Sequence, residues 1–325
     1  MISDEVGPNK NFRLTLPIDY IFLGTIARVF DGFLKNSPTP NAPLQQAIKI
    51  QRPEKLNNLD TIVTEVQILQ KLQGREYAIP LYEMGFLQFS DGQSLPKDWL
   101  EKSAPPREYW ASNLTGQAER YGLEEADRFL ANLELRALKG WLPYLALGRC
   151  GYEGTNPVEP FLFQVFPTEK PIENQDDVAL LVEIAIQICQ AIHEMHTVQV
   201  EYREYKKAHF CWHRRMHKLT MIDWNLSVLC DQPLSQAQRR DEISAFGAKV
   251  LGVIITGDDS YHRIGRAIPW EKVPASAGVP DRLMQVVNNM IDGQYNSIED
   301  VETHLRGILK VIHTQKINNS MGGFQ

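Results

Sequence analysis

Cysteine is scarce in this 325-residue chain, and its four copies, Cys150, Cys189, Cys211 and Cys230, form no C-x-x-C pair. That spacing argues against a zinc ribbon or a disulfide framework. Positive charge is also in deficit: 34 Lys and Arg against 40 Asp and Glu leave a formal net charge of -6. Nucleic acids and anionic membranes are met by basic faces, so neither partner is expected. No apolar run approaches the roughly 18 residues of a spanning helix. Met1-Ile-Ser-Asp-Glu5 opens the chain without the apolar stretch of a secretion signal. A cytoplasmic protein is expected. No internal repeat is visible.

What is present is ordinary globular material, 43% hydrophobic and 23% charged residues. The length allows one large two-lobed domain or two average ones. Residues 18–34 alternate apolar and polar around Gly24 and Gly32, which predicts two strands joined by a turn. A Pro-rich loop, residues 36–43, leads to the short apolar segment Ala47-Ile48-Lys49-Ile50. Ile62, Val66, Leu69 and Leu72 recur at helical spacing and predict a helix over 58–72 that stops at Gly74. A strand is expected over 79–89. Residues 90–157 change character: they hold Pro96, Pro105 and Pro106, a predicted helix over 123–138, and a Gly-rich exit at 148–154. This stretch reads as an insertion. Phe161–Phe166 reads as a buried strand.

Further on, the spacing predicts a helix over 176–196, short strands and loops over 197–230, and a buried helix over 242–256 ending at Gly257. Two amphipathic helices fit 280–291 and 297–311. A β-rich first part and an α-rich second part make the fold class α+β.

Several segments, in order, resemble the protein kinase family. Ala47-Ile48-Lys49-Ile50 is similar to its V-A-I-K strand, and Glu65 stands where the family's helix supplies a glutamate to that lysine. The physical need is a fixed cation for a polyphosphate and an anion to hold the cation's rotamer. Tyr202-Arg203-Glu204-Tyr205-Lys206 looks like the catalytic loop H-R-D-L-K, and Ile222-Asp223-Trp224-Asn225 is similar to the region of D-F-G. Glu242-Ile-Ser-Ala-Phe-Gly247 resembles the start of the family's buried large-lobe helix, and segments at 279–283 and 296–305 resemble its last two helices.

The resemblance implies a bilobal fold with a small lobe over 12–166, carrying the 90–157 insertion, a large lobe over 167–313, and a flexible tail over 314–325. It implies nucleotide contacts at Lys49, Glu65, Gly24, Val29, Phe163 and Val165. It implies catalytic roles for Glu204 and Lys206, and metal roles for Asp223 and His209, with ATP and Mg2+ as cofactors.

The sequence departs from the pattern in five places. The glycine-rich loop keeps only Gly24, so close backbone approach to phosphates is impaired. Glu204 replaces an aspartate and is one methylene longer. His209 replaces an asparagine, and imidazole suits magnesium poorly. Residues 224–241 alone separate Asp223 from Glu242, too few for an activation loop and an A-P-E segment. Both halves of one family ion pair are missing, since 292–296 offers no arginine for that lost glutamate.

Three functions follow: a pseudokinase acting as a scaffold or regulatory module, an active atypical serine/threonine kinase, or a small-molecule phosphotransferase. His209, Cys211, His213 and His217 fit no zinc spacing, and a basic turn after the catalytic loop is the alternative reading of that stretch. Trp99, Tyr109, Trp110, Tyr121 and Trp141 either pack the 90–157 stretch or anchor a protein partner there.

Overall fold

Alternation of small apolar and polar residues builds a sheet on residue-by-residue pairing, and that pairing organises the first half of the molecule. The structure is a computed structural model. It describes residues 4–6, 12–16, 22–23, 26–89, 114–149, 175–213, 216–256 and 281–321. The fold is mixed α+β, in two compact units. Residues 1–74 and 79–149 make the first, and residues 75–78 and 150–325 the second.

In the first unit, β1 (Asp4–Val6), β2 (Phe12–Leu16), β3 (Phe22–Leu23), β4 (Ala27–Leu34), β5 (Gln45–Gln51), β6 (Leu81–Phe89), β7 (Leu114–Tyr121) and β8 (Trp141–Leu147) form one antiparallel sheet. Its order is β1-β2-β4-β5-β8-β6-β7, with β3 on β4. On β5, Ile48 and Ile50 alternate with Lys49 and are fully buried on one face. Helix α1 (Asp60–Lys71) buries Ile62, Val66 and Leu69 as its spacing predicts. It gives way to Gly74, whose φ of +79° is the left-handed conformation that glycine adopts without strain.

The strand between β5 and β6 corrects the sequence reading. It is β8, which lies inside the supposed 90–157 insertion, whereas Phe161–Phe166 falls outside the described residues. Residues 114–147 are therefore integral to the sheet, and the first unit closes at Arg149 instead of 166. A buried charge explains why β7 and β8 stay. The Glu83 carboxylate on β6 is fully buried and accepts from Arg120 Nε and Nη2 at 2.6 and 2.7 Å, from the Tyr144 hydroxyl at 2.6 Å and from Ser37 Oγ at 2.9 Å. A desolvated carboxylate is tolerated when bidentate guanidinium and hydroxyl donors surround it. Helix α2 (Ala126–Leu138) packs here through Phe129, whose ring stacks on Phe86 at 4.8 Å. Burial of each such ring stabilises by about 1.5–3 kcal/mol.

The second unit is mainly helical: α3 (Gln175–Thr197), α4 (Gln236–Phe246), a π-helical turn (Gly247–Gly252), α5 (Val253–Thr256), α6 (Asp281–Ile291) and α7 (Ile298–Met321). Ser235 and Gln238 cap α4 reciprocally, Gln238 N donating to Ser235 Oγ at 3.3 Å and Ser235 N to Gln238 Oε1 at 3.0 Å. The buried helix expected over 242–256 is present but is not α-helical throughout. At Gly247 the π turn passes so close to α6 that a Cβ would lie 2.8 Å from Met290 Cβ. Short ladders complete the unit: β9 (Val200–Glu201) with β12 (Val228–Leu229), and a hairpin of β10 (Phe210–His213) with β11 (Lys218–Met221).

Helix α7 corrects a second expectation. The chain stays helical to Met321, so most of the supposed 314–325 tail is structured, and Lys316 forms an ion pair with Asp176 at the start of α3. Among the described residues one helix, Asp176–Thr197, is long and apolar enough to cross a membrane by length and composition, and 61% of its most apolar window is buried in the fold.

Candidate functional site

Two groups of polar residues stand out, one in each unit. In the first unit, β5 and α1 bring Lys49 and Glu65 together. The Lys49 ammonium donates to both carboxylate oxygens, at 2.9 and 2.7 Å. The Glu65 side chain is 1% exposed and that of Lys49 12%. Such a pair fixes both rotamers, and removing either partner would strand the other's charge in a low-dielectric setting. Val29 pairs directly opposite Lys49 on β4, and Leu145 does so on β8. Directly opposed residues of an antiparallel pair share a face, so Val29, Lys49 and Leu145 do. Leu145 was not among the residues expected to contact nucleotide, which included Phe163 and Val165. Those two residues and Gly24 lie outside the described residues.

In the second unit the site is a loop held from below by a buried carboxylate. Glu242, 4% exposed on α4, accepts from the Tyr202 backbone N–H at 2.9 Å and the Tyr205 hydroxyl at 2.8 Å on Oε1. His196 Nε2 lies 2.5 Å from its Oε2. Burial, then the Glu242 charge, pushes the Tyr205 hydroxyl well above its ordinary pKa. Tyr202 adds a second tie, donating its hydroxyl to the Ile222 carbonyl at 2.9 Å while its ring meets Trp224 at 5.0 Å. Trp224 is fully buried and donates from Nε1 to the Met221 carbonyl at 3.2 Å. Residues 202–206 and 222–224 are thus fastened to each other and to α4.

Three side chains converge on this platform. One ligand atom each from Glu204, His209 and Asp223 can be chosen so that all lie within 4.8 Å of one another. A 3₁₀ turn, Lys207–His209, carries the imidazole back under Glu204, with Nδ1 3.0 Å from the Glu204 carbonyl oxygen and Nε2 3.5 Å from Asp223 Oδ2. Burial holds the His209 pKa below its usual value, against the opposing pull of Asp223. Lys206 donates to Glu204 Oε2 at 2.8 Å and is itself largely exposed. Asp223 sits at a φ of +62°, a left-handed conformation that costs a non-glycine residue about 1–2 kcal/mol. Strain of this kind gathers at functional positions.

Among the described residues, no metal-type cluster includes Cys211 or His217. Cys211 is buried on β10, and His217 lies 3.0 Å from Glu183 on α3. Glu242 and His196 were not among the sequence candidates. The available signal was a glutamate opening a run of strongly apolar helix, where an unpaired charge is rarely tolerated. No family model matches the chain, and no curated protein does.

Proposed function

We propose that the chain is a protein-kinase-like pseudokinase, a bilobal regulatory or scaffold module that retains a nucleotide contact and has lost peptide phosphorylation. The observation that carries the nucleotide half is the Lys49–Glu65 pair. An ammonium gripped by both oxygens of a buried glutamate is held in one place, as a polyphosphate requires. The loss of transfer rests on residues 224–241. They form a turn, the β12 strand, and the capped start of α4, all continuously described, with Cys230 N donating to the Gln199 carbonyl at 2.8 Å. That segment offers no loop long enough to present an acceptor peptide. A histidine at 209 further disfavours Mg2+, which prefers oxygen donors.

A second reading, an active atypical phosphotransferase, draws on the Glu204–Lys206 contact. A carboxylate beside an ammonium is the pairing that proton acceptance and charge stabilisation would use. Thermal shift with ATP separates the two. A modest rise in melting temperature, lost in Lys49→Ala relative to that variant's own baseline, supports the pseudokinase. ATP turnover that disappears in Glu204→Gln overturns it.

A protein partner remains part of the proposal. Leu135 and Leu138 on α2 are exposed at 49% and 86%. Removing the whole 90–157 stretch cannot test it, because that would delete β7, α2 and β8. Leu138→Glu, which leaves the sheet intact, is the appropriate perturbation: loss of a co-purifying partner with unchanged stability supports α2 as the docking face, and retention rejects it.

A further inference from the structure

We propose that the cleft between β7 and α2 binds a small phosphomonoester, with Arg128 as the side chain that changes partner when the ligand enters. The cleft lies wholly within the first unit and uses none of the residues assigned to nucleotide, so this inference stands or falls apart from the reading above.

Helix and strand periodicity build the cleft. Arg128, Asn132 and Arg136 are four residues apart on α2 and share one face of it. Glu119 and Tyr121 are two apart on β7 and share one face of the strand. Together with Arg120 they line a cleft of about 390 Å3, within the range of small-molecule sites. Two of the guanidinium groups are braced by aromatic rings. Arg128 lies over Tyr121 at 5.6 Å from the ring centroid, and Arg136 over Trp141 at 5.5 Å. A guanidinium stacked on a ring keeps its N–H edges for acceptors in its own plane.

Counting donors shows what the cleft still offers. Arg120 is committed, giving Nε and Nη2 to Glu83 and Nη1 to the Lys35 carbonyl. Arg136 gives Nε and Nη2 to Glu119 at 2.8 and 2.5 Å, and Tyr121 donates its hydroxyl to the same carboxylate at 3.1 Å. The Glu119 charge is thus neutralised in place, while Arg136 Nη1 has no acceptor among the described residues. Arg128 makes one ion pair, from Nη1 to Glu125 at 2.9 Å, and the two side chains are 70% and 39% exposed. An exposed i,i+3 pair of this kind contributes little and is readily exchanged. Asn132 donates one amide hydrogen to the Arg128 carbonyl and keeps the other.

The exchange at Arg128 chooses the ligand. A carboxylate would only replace Glu125 like for like. A phosphate monoester carries a charge of about -1.5 to -2 at pH 7 and three acceptor oxygens, so it outcompetes Glu125 and also takes the spare Arg136 and Asn132 donors.

The experiment titrates the full chain, in chloride buffer, with phenyl phosphate, inorganic phosphate, benzoate and a phosphoserine peptide, by calorimetry. Phenyl phosphate should bind, and benzoate should bind far more weakly. Arg128→Gln and Arg136→Gln should each weaken phenyl phosphate by about tenfold or more, as expected when a charge-assisted hydrogen bond is lost. Glu125→Gln should do the opposite and strengthen it, because Arg128 is released; a folding defect would not produce a gain. Circular dichroism checks each fold. The proposal is overturned if phenyl phosphate fails to bind, if both arginine variants bind it as the native chain does, or if Glu125→Gln leaves affinity unchanged. Benzoate binding as tightly as phenyl phosphate removes the phosphate assignment. The phosphoserine peptide binding more tightly than phenyl phosphate makes the occupant a protein and removes the small-molecule one.

Discussion

Replacing Glu242 by glutamine removes one negative charge and almost nothing of the side chain's shape. In the native protein Oε1 accepts from the Tyr202 N–H and the Tyr205 hydroxyl, and Oε2 faces His196 Nε2. A glutamine oxygen in the Oε1 position can still take the first two donors. Each bond then loses its charge assistance, falling from about 1.5–3 to about 0.5–1.5 kcal/mol. The amide NH2 meets His196, which adapts by moving its proton to Nδ1 so that Nε2 accepts. The sum is a loss of about 2–3 kcal/mol. Alanine instead leaves three buried groups without their acceptor and should cost about 3–5 kcal/mol. Urea denaturation reads both values, as a lowered midpoint at unchanged slope. Amide exchange gives the local readout: the Tyr202 N–H should lose protection in Glu242→Gln more than the amides of α7 do. A stability change under 1 kcal/mol, with Tyr202 exchange unaltered, would refute the view that this carboxylate holds the loop.

Other perturbations test other parts of the structure. Lys49→Met leaves Glu65 charged and buried and should destabilise by about 3–5 kcal/mol, whereas the double variant Lys49→Met/Glu65→Gln should recover most of that in urea melts. Burial and the adjoining Glu83 raise the Tyr144 pKa in the folded state, so its contribution to stability is complete below about pH 10 and is lost as pH rises further. Tyr144→Phe should therefore cost about 1.5–3 kcal/mol at neutral pH, through the lost bond to Glu83, and should make the alkaline fall in melting temperature shallower. Gly247→Ala drives a methyl into Met290 and should cost about 1–3 kcal/mol, measurable as a lowered melting temperature.

Periodicity made the helices legible. Residues 62, 66 and 69 repeat along one face of α1, and the apolar residues over 243–255 could fill only an interior helix. The strand β8 was not legible, for two physical reasons. Buried on both faces, Trp141–Leu147 lacks the alternation that marks a half-exposed strand, and Pro143 argues against a central one. β7 was hidden differently: Leu114-Thr-Gly-Gln-Ala-Glu-Arg-Tyr121 is polar, and what holds it is Arg120 reaching a carboxylate on β6. Long-range ion pairs leave no local pattern. The same limit applies to the cluster in the second unit. Glu204, His209 and Asp223 were each nameable from position, but the hydrogen bond from the His209 ring to the Glu204 carbonyl, which decides where the imidazole points, depends on a 3₁₀ turn that no spacing rule announces.

The wide turn at Gly247–Gly252 fixes the phase of the helix on either side of it. A π segment accommodates an extra residue within a helix without breaking it. Each residue of an α-helix advances about 100° around the axis. Taking one residue out of 247–252 would therefore swing Ser244, which holds the Ile291 carbonyl, and Glu242 itself away from their partners unless Val253–Thr256 swung with them. The two ends of the rod are thus tied to one residue count: the wide turn sets the phase in which the carboxylate at 242 and the apolar residues at 253–255 face their separate partners.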